Sequence, residues 1–298
     1  MLKINSPKLA LFLIERYKSK WDKGNPNIDA VIGTEDFSYK YALMQVKKKT
    51  ISGIGVEVMD KDIVEIGCGQ GGICLFMAMN GANSVIGIDV SDEVLHTAET
   101  IKGKFIENGF VRPNQVRFEK SFAEKLDIPD ESIDLVIADN VFEHVTDIEL
   151  TLKECKRILK KNGILHIPGY PSILSKFGPH LKYGTKIPWL HIFFTEKAIC
   201  EAVYLRAIKY PELKLFEYYG GLDKQPKTFR DVRPYKDLSY ITNKKMKAAI
   251  SKIGFKIEAF GCSRPLWATL LVKIFPIIKK TNLDDILSKG TFVKLIKY

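Results

Sequence analysis

The chain has 298 residues, of which 46% are hydrophobic and 27% charged, with a formal net charge of +11. That length and balance supply a full buried core and exclude a disordered or fibrous chain, so one large domain with an elaboration, or two small ones, is expected. The five cysteines, Cys68, Cys74, Cys155, Cys200 and Cys262, are scattered and contain no Cys-x-x-Cys pair for a zinc or redox centre; they read as small buried side chains in a reducing, cytoplasmic compartment.

The first apolar run, Leu9 to Ile14, is followed at once by Glu15 and Arg16, where a signal peptide would need small residues for cleavage. It reads as an amphipathic helix, and residues 1–50 as an N-terminal helical segment. From Asp62 onward, short β-rich runs alternate with helical patterns, the signature of βαβ units and a parallel sheet. Strands are expected at Ile63 to Ile66, Ser84 to Asp89, Val116 to Lys120, Ile133 to Ala138 and Gly163 to Ile167. Helices are expected around Gly72 to Asn80, Asp92 to Asn108 and Asp147 to Lys160, the last with Leu152, Cys155 and Leu159 on one face.

After Pro168 the alternation stops, and the chain to about Tyr240 is rich in Pro, Gly and aromatics. A long irregular insertion at the carboxyl end of a strand is usually a lid or substrate-binding element. Regularity returns with a helix, Asn243 to Lys252, a Gly254 stop, and strands at Phe255 to Phe260 and Thr291 to Lys297. The expected division is therefore a core of residues 51–168 and 241–298, with 169–240 as an acceptor-binding lid. No apolar run is long enough to cross a bilayer; Pro265 to Ile278 comes nearest and is interrupted by Lys273 and Pro276. The positive charge suits nucleic acid, a lipid surface or an acidic substrate. Because the lysines are spread out, with short clusters at Lys47 to Lys49 and Lys244 to Lys247, a solvated surface with at most weak membrane-surface association is expected.

The sharpest signal is the run from Ile63 to Gly72, a strand passing into Gly67, Gly69, Gly71 and Gly72 and then a helix. Such glycines let the backbone approach a ligand where a Cβ would collide. Gly67, Gly69 and Gly72 also fit the dinucleotide pattern G-x-G-x-x-G, which alone is weak. Glu65 separates the alternatives, because a carboxylate before the loop repels a pyrophosphate on the helix N-terminus. A phosphate-free ligand carrying an ammonium and a sulfonium is favoured over NAD. Asp89, twenty positions beyond Gly69 at the tip of the next strand, is placed to accept both ribose hydroxyls, while Ser91 and Asp92 already supply the following helix cap.

Taken together, the chain resembles a class I S-adenosylmethionine-dependent methyltransferase, of the type 11-like group. The resemblance covers roughly Val64 to Ile167 and rests on Glu65-x-Gly67-x-Gly69-x-Gly71, Gly87-Ile88-Asp89, Ala123-Glu124-Lys125-Leu126, Ile133-Asp134-Leu135-Val136, Glu143-His144-Val145 and Arg157 to Gly163. It implies a doubly wound α/β fold with a seven-stranded, mostly parallel sheet, Rossmann-like, whose last strand lies antiparallel between the fifth and sixth. It implies S-adenosyl-L-methionine as cofactor, with Glu65, Gly67, Gly69 and Gly71 at the methionine part, Asp89 at the ribose, Phe122 and Ala123 at the adenine, and Val90 and Asp139 also at the cofactor site. Phe122 departs from the family, which often has an acid there to accept a proton from the adenine amino group; an aromatic packs on the purine face instead.

Methyl transfer from a sulfonium needs alignment and exclusion of water more than catalytic groups. If the acceptor is a hydroxyl, a general base helps, and the loop Asp139 to His144 follows the fourth strand at the switch point. His144 is the candidate base; the alternative is that Glu143 and His144 only start the next helix. The stretch loosely resembles the Glu-x-x-Glu-His metal motif of ubiquinone-pathway O-methyltransferases, but Asn140 replaces the first acid and no metal is expected. His166 reads as a core residue, His180 and His191 as possible acceptor-pocket residues, and Trp189, Phe193 and Phe194 as the lid's own core. Three functions compete: a small-molecule methyltransferase acting on a sugar, lipid-linked or quinone-like hydroxyl; an RNA or other nucleic-acid methyltransferase; and a non-catalytic cofactor-binding module. The Asn/Asp-Pro-Pro-aromatic motif expected for base amino groups is missing, since Ala138-Asp139-Asn140-Val141 stands there, and intact Glu65 and Asp89 argue against the module.

Overall fold

Short runs rich in Val and Ile, most nearly continuous in the central strands, build a mostly parallel sheet. In the computed structural model, which describes residues 3–17, 55–176, 178, 187–210, 228 and 238–298, these runs are β1 (Asp62–Ile66), β2 (Ser84–Asp89), β3 (Val116–Lys120), β4 (Ile133–Ala138) and β5 (Leu159–Tyr170). Two more strands, β6 (Lys256–Ser263) and β7 (Gly290–Ile296), follow late in the chain. His180, Gly184 and much of the Pro- and Gly-rich stretch lie outside the described residues.

The chain divides into two compact units, one of residues 31–170, 244–263 and 291–298, the other of 1–30, 171–243 and 264–290. The first unit holds the sheet, in the order β3-β2-β1-β4-β5-β7-β6. Strands β3, β2, β1, β4 and β5 pair in parallel, and β7 runs antiparallel to β5, which is the expected seven-stranded order. Helices α2 (Gly72–Met79), α3 (Asp92–Glu107) and α4 (Ile148–Ile158) follow β1, β2 and β4. The core of α2, β1 and α3 includes Ile63, Leu75, Met77, Ile101 and Phe105, all at most 1% exposed. Each such side chain contributes about 1.5–3 kcal/mol by leaving water.

Strand β5 begins four residues earlier than the sequence suggests. Lys160, Lys161 and Asn162 look like a polar helix end, but the chain turns extended at Leu159 (φ −67°, ψ 136°). The reason is electrostatic: the Lys160 ammonium lies 2.9 Å from Asp134 and 3.3 Å from Asp62, at the amino ends of β4 and β1.

The described residues of the second unit are mainly helical. Helix α1 (Pro7–Arg16), capped by the Ser6 hydroxyl, buries Ala10 and Ile14. These pack in one cluster with Leu190 of α5 (Leu190–Phe193), Phe194, and Ala198, Ile199, Ala202 and Val203 of α6 (Glu196–Lys209). The Ile4 backbone strengthens the join, donating to Phe193 O at 2.8 Å and accepting from Thr195 N at 2.9 Å. Helix α6, capped by Thr195, runs through the stretch that the sequence marks as irregular. Its buried side chains, from Ala198 and Cys200 to Arg206, spread widely around the axis and include a charged one, so it carries little of the amphipathic contrast by which helices are recognised. After α7 (Asn243–Ile253), which leads back to β6, the segment between β6 and β7 adds α8 (Leu266–Ile274), a 3-10 turn (Pro276–Lys280) and α9 (Leu283–Leu287).

Candidate functional site

Strand order reverses between β1 and β4, and in an open parallel sheet ligands bind beside such a reversal, at the carboxyl ends of the strands. Near that end of β1 stands Glu65, paired in register with Gly87 of β2 and Ile137 of β4. Its side chain is 2% exposed, and Oε2 accepts the Cys74 Sγ–H at 2.8 Å from the first turn of α2. Burial, then neighbouring Cys68, then the Glu65 charge push the Cys74 thiol well above its usual range. Cys74 therefore remains a protonated donor, holding a carboxylate behind the glycine loop.

The glycines of the loop divide by cause. Gly67, Gly69 and Gly71 have φ of +68°, +52° and +77°, a region that favours glycine. A Cβ on Gly67 would come within 2.4 Å of Val141 Cγ2, and one on Gly71 within 2.4 Å of Phe118 Cζ. Packing alone thus excludes a side chain at both positions. At Gly69 a Cβ would meet nothing within 4 Å, so this left-handed turn borders open space. Gly71 also starts α2 with no side-chain cap, leaving first-turn N–H groups for an anionic ligand group.

Asp89, the last residue of β2, fastens this loop to the next. Its Oδ2 accepts the Gly69 N–H at 3.0 Å and its Oδ1 the Ser91 N–H at 3.1 Å, while the Ser91 hydroxyl caps α3. Each carboxylate oxygen keeps a further lone pair. Beside it opens a cavity of about 620 Å³, lined by Val90, Ser121, Phe122 and Leu126 with Lys120, Lys125 and Asp127 at its charged edges. Val90 is 54% and Phe122 65% exposed, whereas Ala123 is buried behind them.

The loop that carries Phe122 is clamped to α4. Arg157 donates from Nε and Nη2 to Glu154, from Nη1 to Asp130 and Ile128 O, and from Nη2 to Leu126 O; Glu154 also accepts the Leu126 N–H at 2.7 Å. The hydrogen bond from Arg157 is the main reason the Glu154 carboxyl is held below its ordinary range. Glu124 secures the other end, accepting from Thr146 N, Thr146 Oγ1 and Asp147 N at 2.8, 2.7 and 3.2 Å. Partial burial pushes Glu124 upward, but these bonds outweigh it and keep the carboxyl low.

The loop after β4 closes the edge. Asn140, at φ +56°, donates its N–H to Gly169 O at 2.8 Å and its Nδ2 to the half-buried Asp139 at 3.1 Å. Val141 packs on Gly67, and a turn from Val141 O to His144 N (2.7 Å) leaves His144 exposed and Glu143 fully buried. The structure thus brings Glu65, Gly67, Gly69, Gly71 and Asp89 to one edge, with Val90 and Phe122 on the adjoining cavity. The packing roles of Val141 and Phe118 leave no mark in the sequence; the lysines at the cavity rim follow only once Phe122 is placed. Elsewhere, His166 is buried in β5. His191 is 4% exposed inside the helical unit, its Nε2 2.7 Å from Ile173 O, with burial as the main cause lowering its pKa to about 4. Phe194 is core there, while Phe193 is 47% exposed.

Residues 64–167 match the family model of a methyltransferase domain. A ubiquinone biosynthesis O-methyltransferase of Chelativorans sp. is 32% identical over 116 residues, which span 39% of this chain and 43% of that protein. One from Pelagibacter ubique is 31% identical over 130 residues, 41% of this chain and 49% of that protein. The chain thus spans less than half the length of these curated relatives. Among solved structures, a methyltransferase from Methanosarcina mazei superposes with a TM-score of 0.51 at 21% identity, over 84% of this chain and 97% of that one, a likeness of fold. The matched stretch is a class I S-adenosylmethionine-dependent methyltransferase domain. S-adenosylmethionine is the cofactor of such a domain, and the residues here fit it. The Gly69 backbone borders open space, the buried Glu65 carboxylate disfavours a pyrophosphate but suits a cationic ligand, and Asp89 retains lone pairs for hydroxyls.

Proposed function

We propose that this protein transfers a methyl group from S-adenosylmethionine to a hydroxyl of a small-molecule acceptor in the cytoplasm. The observation that carries the reading is the pair of carboxylates around the glycine loop, Glu65 buried behind it and Asp89 bonded to Gly69. The bound cofactor supplies a methyl group already made electrophilic by its sulfonium. The chain's own residues bind and orient. Glu65 favours the positive charge of the amino-acid part, Gly69 gives backbone access, Asp89 takes the ribose hydroxyls, and Val90, Phe122 and Ala123 take the adenine, with Phe122 offering a ring face. Asp139 borders the cofactor, and exposed His144 accepts the acceptor's proton.

The acceptor is assigned to residues 169–240, the insertion after β5. Relatives named ubiquinone biosynthesis O-methyltransferase support the hydroxyl and the quinone-like class. The net charge of +11 favours the second reading, a nucleic-acid methyltransferase. Transfer of labelled methyl from adenosylmethionine into fractionated cell extract separates the two. Label in a nuclease-resistant small-molecule or lipid fraction is expected, and a nuclease-sensitive product would overturn the reading.

A further inference from the structure

Helix α8 is amphipathic the wrong way round for a helix that packs only on its own protein. Its buried positions are the small ones, Ala268 (0% exposed) and Val272 (3%), while Leu266, Trp267, Leu270 and Ile274 are 77%, 60%, 51% and 68% exposed. At 100° per residue these four fall within one arc of about 100°, opposite Ala268 and Val272. Phe275 and Ile277, 53% and 64% exposed, extend the apolar surface beyond the helix end. A continuous patch of large apolar side chains is uncommon on a soluble surface and marks a place where something else removes them from water.

Charge indicates what that is. From Pro265 to Leu283 the sequence contains Lys273, Lys279 and Lys280 and no acidic residue, in a chain of net charge +11. Lys273 is exposed and lies about 20° beyond the Leu266 edge of the apolar arc, where its ammonium can reach outward along its own alkyl stem. Trp, Phe and Leu on the surface with Lys273 beside them, in a lysine-containing and acid-free stretch of sequence, are the composition of a helix that lies in a lipid headgroup layer. Anionic headgroups attract the lysines while the acyl boundary takes the apolar side chains. At nine residues the helix lies on a bilayer and does not cross it.

We propose that the face formed by Leu266, Trp267, Leu270, Ile274, Phe275 and Ile277 docks this protein on an anionic membrane surface. The inference stands on the helical unit alone and does not depend on the proposed reaction. The test uses the full chain and unilamellar vesicles of phosphatidylcholine, with and without about one third phosphatidylglycerol. Co-sedimentation with the anionic vesicles is expected, with a blue shift of tryptophan emission that Trp267→Phe removes. The double substitution Leu270→Ser with Ile274→Ser, at exposed positions, should keep the circular dichroism spectrum and weaken partitioning at least about tenfold. Lys273→Glu should weaken binding to anionic vesicles and leave binding to phosphatidylcholine unchanged. Equal partitioning of wild type and the folded double variant would overturn the proposal. So would a wild-type dimer that the double variant converts to monomer without any change in vesicle binding.

Discussion

The Asp89 carboxylate accepts the backbone N–H of Gly69 at 3.0 Å, joining the acid that ends β2 to the one loop glycine that borders open space. One side chain therefore shapes the loop and is available to a ligand. Asp89→Ala should weaken binding of adenosylhomocysteine by about 2 kcal/mol, roughly thirtyfold, and lower stability by about 1 kcal/mol through the bonds lost at Gly69 and Ser91. Titration calorimetry and thermal melting on the same sample check both. A folded variant that binds as tightly as wild type would remove Asp89 from the cofactor site.

Gly67 and Gly69 should respond differently to the same methyl group. Gly67→Ala forces a collision with Val141 at a positive φ, so a loss of stability on the order of 2–4 kcal/mol is expected in urea unfolding. Gly69→Ala meets only the backbone strain, about 1 kcal/mol, and its larger effect should fall on cofactor affinity. Equal destabilisation by the two substitutions would contradict the assignment of Gly67 to packing.

His191 gives the helical unit a pH dependence. Burial, the first cause, depresses its folded pKa to about 4 from an ordinary 6.5, so between those values the unfolded chain binds more protons. Its contribution is fully present above about pH 6.5 and is lost as pH falls toward 4, on the order of 2–3 kcal/mol in all. Urea midpoints measured at pH 7.5 and 5.0 should separate for wild type and converge for His191→Gln. Equal separation in both proteins would show that other groups cause the acid loss.

His144 lies at the end of a turn that starts at Val141, the residue packed on Gly67, and its side chain is exposed. If it takes the acceptor's proton, His144→Gln should lower the single-turnover rate by about 10² to 10⁴ with cofactor affinity unchanged. A histidine that only starts α4 would instead lower the melting temperature and leave turnover per folded molecule intact. A rate within a fewfold of wild type leaves alignment and exclusion of water as the chemistry.

The parallel strands were the most legible part of the sequence. Ser84 to Asp89, Val116 to Lys120 and Ile133 to Ala138 match the structure residue for residue; the first and last are mostly buried runs rich in Val and Ile, whereas Val116 to Lys120 alternates apolar and charged residues. The start of β5 was hidden because Lys160 owes its strand position to Asp62 and Asp134, both distant in sequence. Helix α6 was hidden because its buried side chains, the charged Arg206 among them, spread widely around the axis. By pattern, residues 1–50 stand apart and 264–290 belong with the core, whereas α1 packs on α6 and 264–290 groups with the helical unit. Within the site, Glu65 stands out by its charge before the glycine loop and Asp89 by its spacing from Gly69. The packing reasons for Gly67 and Gly71 were not, because Val141 and Phe118 reach them only through the folded sheet.

Calorimetric titration of the full chain with adenosylhomocysteine and, separately, with NAD decides whether the loop between Glu65 and Asp89 binds adenosylmethionine and its demethylated product. Saturable binding of adenosylhomocysteine, weakened in Asp89→Ala, with no binding of NAD at the same concentrations, is the predicted result. Tighter binding of NAD than of adenosylhomocysteine would contradict it.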